Sequence, residues 1–497
     1  MRILLVSIPL AFLCLPEALS AQGALTRGPA VADVTTSGAT IQWSTAAPSG
    51  GAIEWGTTSA LGRTAPATAT ATQHEVRVFG LRPFTRYYYR VLDGSTPVGP
   101  IHSFRTAAPA DHPYARIAVF GDAGTGSAGQ LAVARLTGEL APDLVLMPGD
   151  INYPSGAAST IDRAYFAPYA GLLPEIPFYL APGNHDYYAA CGQAYYSSFC
   201  LPTSPQGGEQ WYSFDFGDVH VVSINTEIVP TVNGTCGNAA LAAAQLAWLD
   251  ADLAASRATW KIAMLHRPPR SYSTHGSNAA VQAAFEPVLE ARGVDLVLSG
   301  HDHCYQRFPR MVGGIADPRG PRHLVVGTGG ASPYPISPGP LLEFGASTVG
   351  LVLLDVTGNQ LRIRFFDAGT NYGQVLDDVT MQKGSYTPSL AASGTAIPLG
   401  GSSTLSVLAE SAQPWVLVAD DESGSLPLPP HGLWLLGSTP ALLGAGAIGT
   451  GPNSVVLSVP QSPALVGLMV SCQALAGSTD PALRGMRITN AIELAVR

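Results

Sequence analysis

Charge is scarce in this chain, and positive charge scarcer still: 26 Lys and Arg stand against 35 Asp and Glu in 497 residues, for a formal net charge of −9 at pH 7. A nucleic-acid duplex or an anionic membrane needs a basic face that releases counterions, so the deficit argues against either as the main partner. Long apolar runs are missing after the opening residues. No later stretch of about 18 apolar residues free of polar breaks occurs, and no transmembrane segment is expected. Cysteine is sparse, with six in the whole chain. The glycine-rich Gly327-Thr328-Gly329-Gly330 has neither the lysine nor the spacing of a P-loop and is a weak phosphate-binding signal.

At 497 residues the chain is too long for one hydrophobic core and predicts about three domains. It opens with Met1-Arg2 and the apolar run Ile3–Leu15, then small residues around Ala18 and Ser20. This reads as a secretory signal over residues 1–21, cleaved near Ser20 or Ala21, with an extracellular or periplasmic destination. Leu13 ahead of Cys14 is larger than lipoprotein processing prefers, which argues against lipidation there. Residues 22–108 alternate apolar and polar positions between Gly, Pro and Ser turns, as in Ala39–Trp43, Ala52–Trp55 and Glu75–Phe79, and predict an all-β module. From about residue 385 charge nearly vanishes and short alternating stretches return, so 386–497 read as a small all-β domain. Its best strands are Trp415–Ala419, Ser454–Val459 and Ala464–Cys472. That domain carries no catalytic cluster, and attachment, secretion or spacing is its expected work.

The chemistry lies in the central region, 113–385. Short apolar runs at Arg116–Phe120, Leu144–Met147, Phe178–Ala181, Trp260–Leu265 and Val294–Leu298 read as buried strands. Each is followed by a residue of metal-ligand type: Asp122, Asp150 with Tyr153, Asn184, His266, and His301 with His303. A lone Gly-Asp pair or His-x-His signifies little in a chain with 54 Gly and 11 His. Ligands gathered at the carboxyl ends of adjacent strands fall in one crevice of an open α/β sheet. Carboxylate, phenol, amide oxygen and imidazole without thiolate suit iron, zinc or manganese and exclude copper(I) and iron–sulfur clusters. Tyr153 is either a core aromatic just after a turn or a phenolate ligand, which a strongly Lewis-acidic ion favours. Stretches with helical spacing, Ser127–Leu136, Asn238–Ser256 and Ala279–Arg292, should cover sheet faces. The runs Leu324–Gly330, Val349–Asp355 and Leu361–Phe366 read as strands of a second sheet.

The order and spacing of these residues resemble the purple acid phosphatase branch of the binuclear metallophosphoesterases, with Tyr153 following the second Asp as the branch marker. The resemblance implies an α/β two-sheet sandwich flanked by helices and a secreted acid phosphatase, a hydrolase of phosphate monoesters. It implies Fe(III) on Asp122, Asp150, Tyr153 and His303, and a divalent Zn, Fe or Mn on Asp150, Asn184, His266 and His301. Asp150 would bridge the ions, and metal-bound hydroxide would be the nucleophile. Small phosphate esters would be the substrates, since bound metals supply positive potential despite the acidic chain. Leu81-Arg82-Pro83-Phe84-Thr85-Arg86-Tyr87 resembles the tyrosine corner of fibronectin type III sandwiches, which some phosphatases of this family carry ahead of the catalytic domain.

Beside the ligands, His185 matches the Gly-Asn-His-Asp motif and is a candidate general acid or substrate contact. His275 is either a second such histidine or a solvated loop residue. Asp186 and Asp302 are out of phase with the ligands, and Asp302 is expected to orient neighbouring groups. Arg267 and Arg307 are candidates for phosphate contact or for ordinary salt bridges. Removal of Cys14 with the leader would leave five of the six cysteines. Cys191, Cys200, Cys236 and Cys304 allow three pairings; Cys191 with Cys200, closing a short loop, is the first choice, and Cys472 is left as a buried thiol. Asn233-Gly234-Thr235 is a glycosylation sequon. Two alternatives to the monoesterase are open: a diesterase or nucleotidase using the same centre, and an adhesive scaffold with a structural metal site.

Overall fold

Alternation is clearest at the start of the chain, and there it builds a five-stranded antiparallel unit. In the computed structural model, which describes residues 25–383 other than Asp111 and beyond them strand backbone between Ser389 and Val496, these strands are β1 (Leu25–Ala32), β2 (Gly38–Gly56), β3 (Arg63–Phe79), β4 (Arg86–Asp93) and β5 (Thr96–Arg105). Ile41, Trp43, Ile53, Trp55, Val76, Val78 and Phe104 form its core. The Tyr87 hydroxyl accepts a hydrogen bond from the Arg82 backbone N–H at 2.9 Å, which pins the β4 entry as the sequence predicts. Tyr89 sits in the same core but sends its hydroxyl to the Pro174 carbonyl at 2.8 Å, joining this unit to the next.

The central region begins with β6 (Tyr114–Val119), α1 (Ala128–Leu140), β7 (Leu144–Pro148), β8 (Phe178–Ala181), α2 (Asn184–Tyr188) and α3 (Gln193–Tyr196). It continues through β9 (Tyr212–Phe216), β10 (Val219–Ile224), α4 (Ala239–Ala255), β11 (Trp260–Leu265), α5 (Ala279–Ala291) and β12 (Leu296–Ser299). Last come β13 (Tyr305–Val312), β14 (Ile315–Ala316), β15 (Arg322–Val326), β16 (Phe344–Ala346), β17 (Gly350–Thr357), β18 (Gln360–Asp367) and β19 (Val375–Gln382). One sheet runs β19-β18-β17-β6-β7-β8 and the other β14-β13-β15-β12-β11-β10-β9. Period two divides the buried strands between layers. Val221, Ile262, Met264 and Leu298 meet Ile117, Val119 and Leu146 between the sheets, whereas Val222, Ala263, Leu265 and Val297 face α4 and α5. Leu249 and Leu253, with Val281, Phe285 and Leu289, supply the covering stripes at helical spacing.

The late strands are not all in the second sheet. β17 lies antiparallel beside β6 and carries β18 with it, so both extend the first sheet, while β15 alone joins the second beside β12. An apolar run states that a strand is buried on both faces, not which neighbour it has. Residues 1–21, where a signal is expected, lie outside the described residues together with Cys14, as does the side chain of Cys472. In the C-terminal region Pro414–Asp420 and Asn453–Ser458 cover the first two expected strands up to Ser458, and Met469–Gly477 covers only Met469–Cys472 of the third, whose earlier residues lie outside the described ones. No helix among the described residues is long and apolar enough to cross a membrane.

Far from the crevice, His220 on β10 bonds cross-strand to Asp215 at 2.7 Å and to Asp252 of α4 at 2.9 Å. Burial lowers its pKa, but the carboxylate bonds outweigh this and push it up to about 9, from 6.5. A histidine raised in the fold stabilises it fully below the unfolded value and loses that contribution as pH rises through the folded one. Urea unfolding should therefore show a loss of about 2 kcal/mol between pH 6.5 and 9, discounted because Asp215 is exposed. His220→Asn should flatten that slope; an unchanged slope would refute the assignment.

Candidate metal centre

The parallel strands β6, β7 and β8 of one sheet and β11 and β12 of the other end on the same side. Their following residues bring all seven predicted ligand side chains into one cluster, buried except for the half-buried Tyr153. Asp122, Asp150 and His266 offer ligand atoms within 4.8 Å of one another. The Tyr153 hydroxyl lies 2.9 Å from Asp150 Oδ2, 3.2 Å from Asp122 Oδ1 and 3.1 Å from His303 Nε2. Asn184 Oδ1 is 2.9 Å from His266 Nε2, which is itself 3.3 Å from Asp150 Oδ1. His301 packs its ring 5.0 Å from that of His266.

Backbone geometry makes the cluster possible. Asp122, Asp150 and His301 all have positive φ, at 58°, 54° and 71°, conformations that cost an L-residue on the order of 1 kcal/mol each. Glycine acts mainly through close approach: a Cβ on Gly300 would lie 2.4 Å from Asp122 Oδ2, and Gly149, at φ 91°, would press one against the His266 ring. Gly327 likewise lets its strand end pass Asp302 and Asp122, and Gly330 offers its carbonyl to Ser127, so this run packs against the site and is no phosphate loop.

The His266 and His303 imidazoles are each oriented from behind. His266 places Nδ1 3.0 Å from the Pro148 carbonyl and His303 places Nδ1 3.0 Å from that of Ser332. With Nδ1 donating, Nε2 of each ring faces carboxylate, amide or phenol oxygen, and it can meet them only through a shared proton or a cation. Burial and the charge of Asp122 push the Asp150 carboxyl up to about 7, so the ligand-free cluster retains protons that a cation would displace. Burial, then Asp150 and Asp122, hold the Tyr153 phenol well above its ordinary value. Burial and the charges of His266, His275 and Arg267 drive His301 far down, so that ring is neutral, as a ligand must be. Hard oxygen and imidazole donors with no thiolate fit iron, zinc or manganese.

Both expected histidines are drawn in. His185 donates its backbone N–H to Asp150 Oδ1 at 2.9 Å and lies against Tyr153 at 4.2 Å between ring centres. Its Nδ1 is 2.5 Å from the Pro154 carbonyl, leaving Nε2 3.9 Å from Asp150 Oδ2. His275 stacks on His301 at 4.0 Å and bonds through Nδ1 to Asp302 Oδ1 at 3.0 Å, with its side chain 41% exposed, so it stands beside the ligands at the open edge of the site. Asp302 also accepts from the His275 N–H and from Ser271, so it orients the loop as expected. Asp186 accepts the N–H groups of Ile151, Asn152 and Gly183 and locks the Asp150 turn. Both arginines turn out to be paired: Arg267 with the buried Glu227, and Arg307 with Asp377 and Glu343.

The expected Cys191–Cys200 pairing is wrong. Cys191 bonds to Cys236, with Cα atoms 5.5 Å apart, and Cys200 and Cys304 are buried free thiols. Helix α3 intervenes between Cys191 and Cys200, and burial, with the charge of Glu75 of the N-terminal unit, pushes the Cys200 thiol up. The sequon asparagine, Asn233, is half-buried and its Nδ2 donates to Glu227 at 3.2 Å. Sequence reasoning missed Tyr334, stacked on His303 at 4.0 Å, and Tyr188, whose hydroxyl accepts from Asn184 Nδ2 at 2.8 Å. Tyr334 carries no spacing signal, but Tyr188 lies four residues after Asn184 on one helix face and could have been found that way.

Residues 115–305 match the family model of calcineurin-like phosphoesterases, the class that this two-sheet sandwich and its crevice of ligands define. Residues 29–106 match the purple acid phosphatase N-terminal domain, and with both domains present in this order the chain belongs to the purple acid phosphatase family. It is 32% identical over 294 residues to purple acid phosphatase 15 of Arabidopsis thaliana, covering 52% of this chain and 53% of that protein. Purple acid phosphatase 23 of the same plant is 31% identical, with 52% and 62% covered. The chain thus spans a little over half the length of these relatives. A purple acid phosphatase from yellow lupin superposes with a TM-score of 0.61 over 72% of this chain and 74% of its own, a likeness of fold at 20% identity.

Proposed function

We propose that the protein is a secreted acid phosphatase that hydrolyses phosphate monoesters at a binuclear centre. The observation that carries this reading is the pair of back-bonded imidazoles, His266 and His303, whose Nε2 atoms face the carboxylates of Asp150 and Asp122 with the Tyr153 phenol between them. Asp122, Asp150, Tyr153 and His303 would hold Fe(III); Asp150, Asn184, His266 and His301 would hold a divalent Zn, Fe or Mn, with Asp150 shared. When bound, the ions supply the Lewis-acid charge that activates water and neutralises the phosphoryl oxygens.

The chain's own residues do the rest. His185 Nε2, free because Nδ1 is taken by Pro154, is positioned to give a proton to the departing alkoxide. His275, held by Asp302 and stacked on His301, lines the same approach and can hold a phosphoryl oxygen or share that proton duty. Asp186 and the positive-φ turns keep the ligand oxygens in place before substrate arrives. We read the chain as a leader (1–21), a fibronectin type III-like sandwich (22–108), the catalytic domain (113–385) and a C-terminal β domain (386–497) that serves attachment or spacing. The Tyr87 corner supports the second assignment, and the Cys191–Cys236 disulfide supports export to an oxidising compartment.

One purified sample tests the reading. Metal analysis should return iron with a second metal, and p-nitrophenyl phosphate should be hydrolysed between about pH 4 and 7, where a trivalent ion would supply the Lewis acidity that activates water. A visible phenolate–Fe(III) band should vanish in Tyr153→Phe. Activity without iron or the band would remove the iron assignment alone; a fully metal-loaded protein with no activity would remove the phosphatase reading.

A further inference from the structure

Tyr188 ends α2 with 61% of its surface exposed, beside a cluster of ligand-type residues that are buried or half-buried. Its ring is nonetheless held on two sides. The hydroxyl accepts from Asn184 Nδ2 at 2.8 Å, and the His185 ring meets it edge-on at 4.9 Å and 61°. Asn184 Oδ1, on the same amide, is 2.9 Å from His266 Nε2, so the Tyr188 hydroxyl stands one amide group away from the centre. Having accepted from Asn184, the hydroxyl still has its own hydrogen to donate. Tyr334 lies flat on His303 at 4.0 Å and 18°, so a second aromatic ring stands beside the centre. An exposed aromatic face that is fixed in advance receives a flat partner at little entropic cost.

We propose that Tyr188 sets leaving-group preference, a reading that rests on the phosphatase function above: its hydroxyl donates to an oxygen of the phosphoryl group held at the centre, and its ring face receives the departing alcohol. Phosphate monoesters of planar aromatic alcohols are thereby favoured over those of small aliphatic ones. The hydroxyl serves every ester equally, since it touches the common phosphoryl group, while the ring distinguishes them.

The test compares wild type, Tyr188→Phe and Tyr188→Ala at measured metal content. kcat/KM is taken for phenyl phosphate and glycerol phosphate, and binding of phenylphosphonate and methylphosphonate is followed by calorimetry. Tyr188→Phe should weaken both members of each pair while keeping their ratio within about twofold. Tyr188→Ala should cut the aromatic-to-aliphatic ratio by about fivefold to tenfold in both measurements. A loss common to both variants belongs to the hydroxyl and its tie to Asn184; the ring effect is the difference between Ala and Phe. An unchanged ratio in Tyr188→Ala overturns the proposal. If metal-loaded wild type hydrolyses neither ester, the phosphatase reading fails, and the phosphonate pair alone decides whether the ring selects.

Discussion

Asp150→Asn is expected to lower hydrolysis by at least about 10³-fold, because the residue proposed to hold both cations loses its charge and with it several kcal/mol of the stabilisation they provide. Metal analysis should find no more than about one ion per chain. Folding should not suffer. Asparagine tolerates the positive φ of this position, and Oδ1 still accepts the His185 N–H. The substitution also removes one of the carboxylates crowded beside Asp122 and Asp186, so the metal-free variant should melt no lower than metal-free wild type. Retention of activity within tenfold and of both metals would show that Asp150 is not the bridge.

Replacing Cys191 and Cys236 together by serine should destabilise the protein by about 4 kcal/mol in denaturant unfolding, from the closure entropy of a loop with a sequence separation of 45. Activity should fall far less, by under about tenfold, because α2 is also held by polar contacts. Tyr187 and Tyr196 share a hydroxyl bond of 2.6 Å, and Asn225 Nδ2 donates to Tyr187 at 2.6 Å. A stability loss below about 1 kcal/mol would mean that these contacts, not the covalent link, secure the segment.

The ligand set was legible because two rules act on it at once. Buried strands require unbroken apolar runs, and the sites of open α/β sheets lie just past their carboxyl ends, so Asp122, Asp150, Asn184, His266 and His301 each follow such a run. The tyrosine corner was legible for a similar reason, since Leu81, Pro83 and Tyr87 act within one turn. What escaped was long-range. The partner of Cys191 depends on how the loop carrying Cys236 folds back over α2, and the sheet that receives β17 depends on pairing with β6. Tyr334 reaches His303 from a proline-rich loop whose composition announces only a turn. The positive φ values of Asp122, Asp150 and His301 were hidden for another reason: these residue types adopt that conformation only occasionally and nothing in the sequence marks where they do.

The disulfide divides the crevice into halves of different provenance. Asp122, His301 and His303 extend directly from strands inside the sandwich, so nothing short of unfolding displaces them. Asn184, His185 and Tyr188 ride on a short helix fastened from outside by Cys191–Cys236. The half built on strands, which would supply ligands to both ions, is therefore heritage of the scaffold, while the half facing the departing alcohol is an appendage that substitutions could retune without disturbing the core.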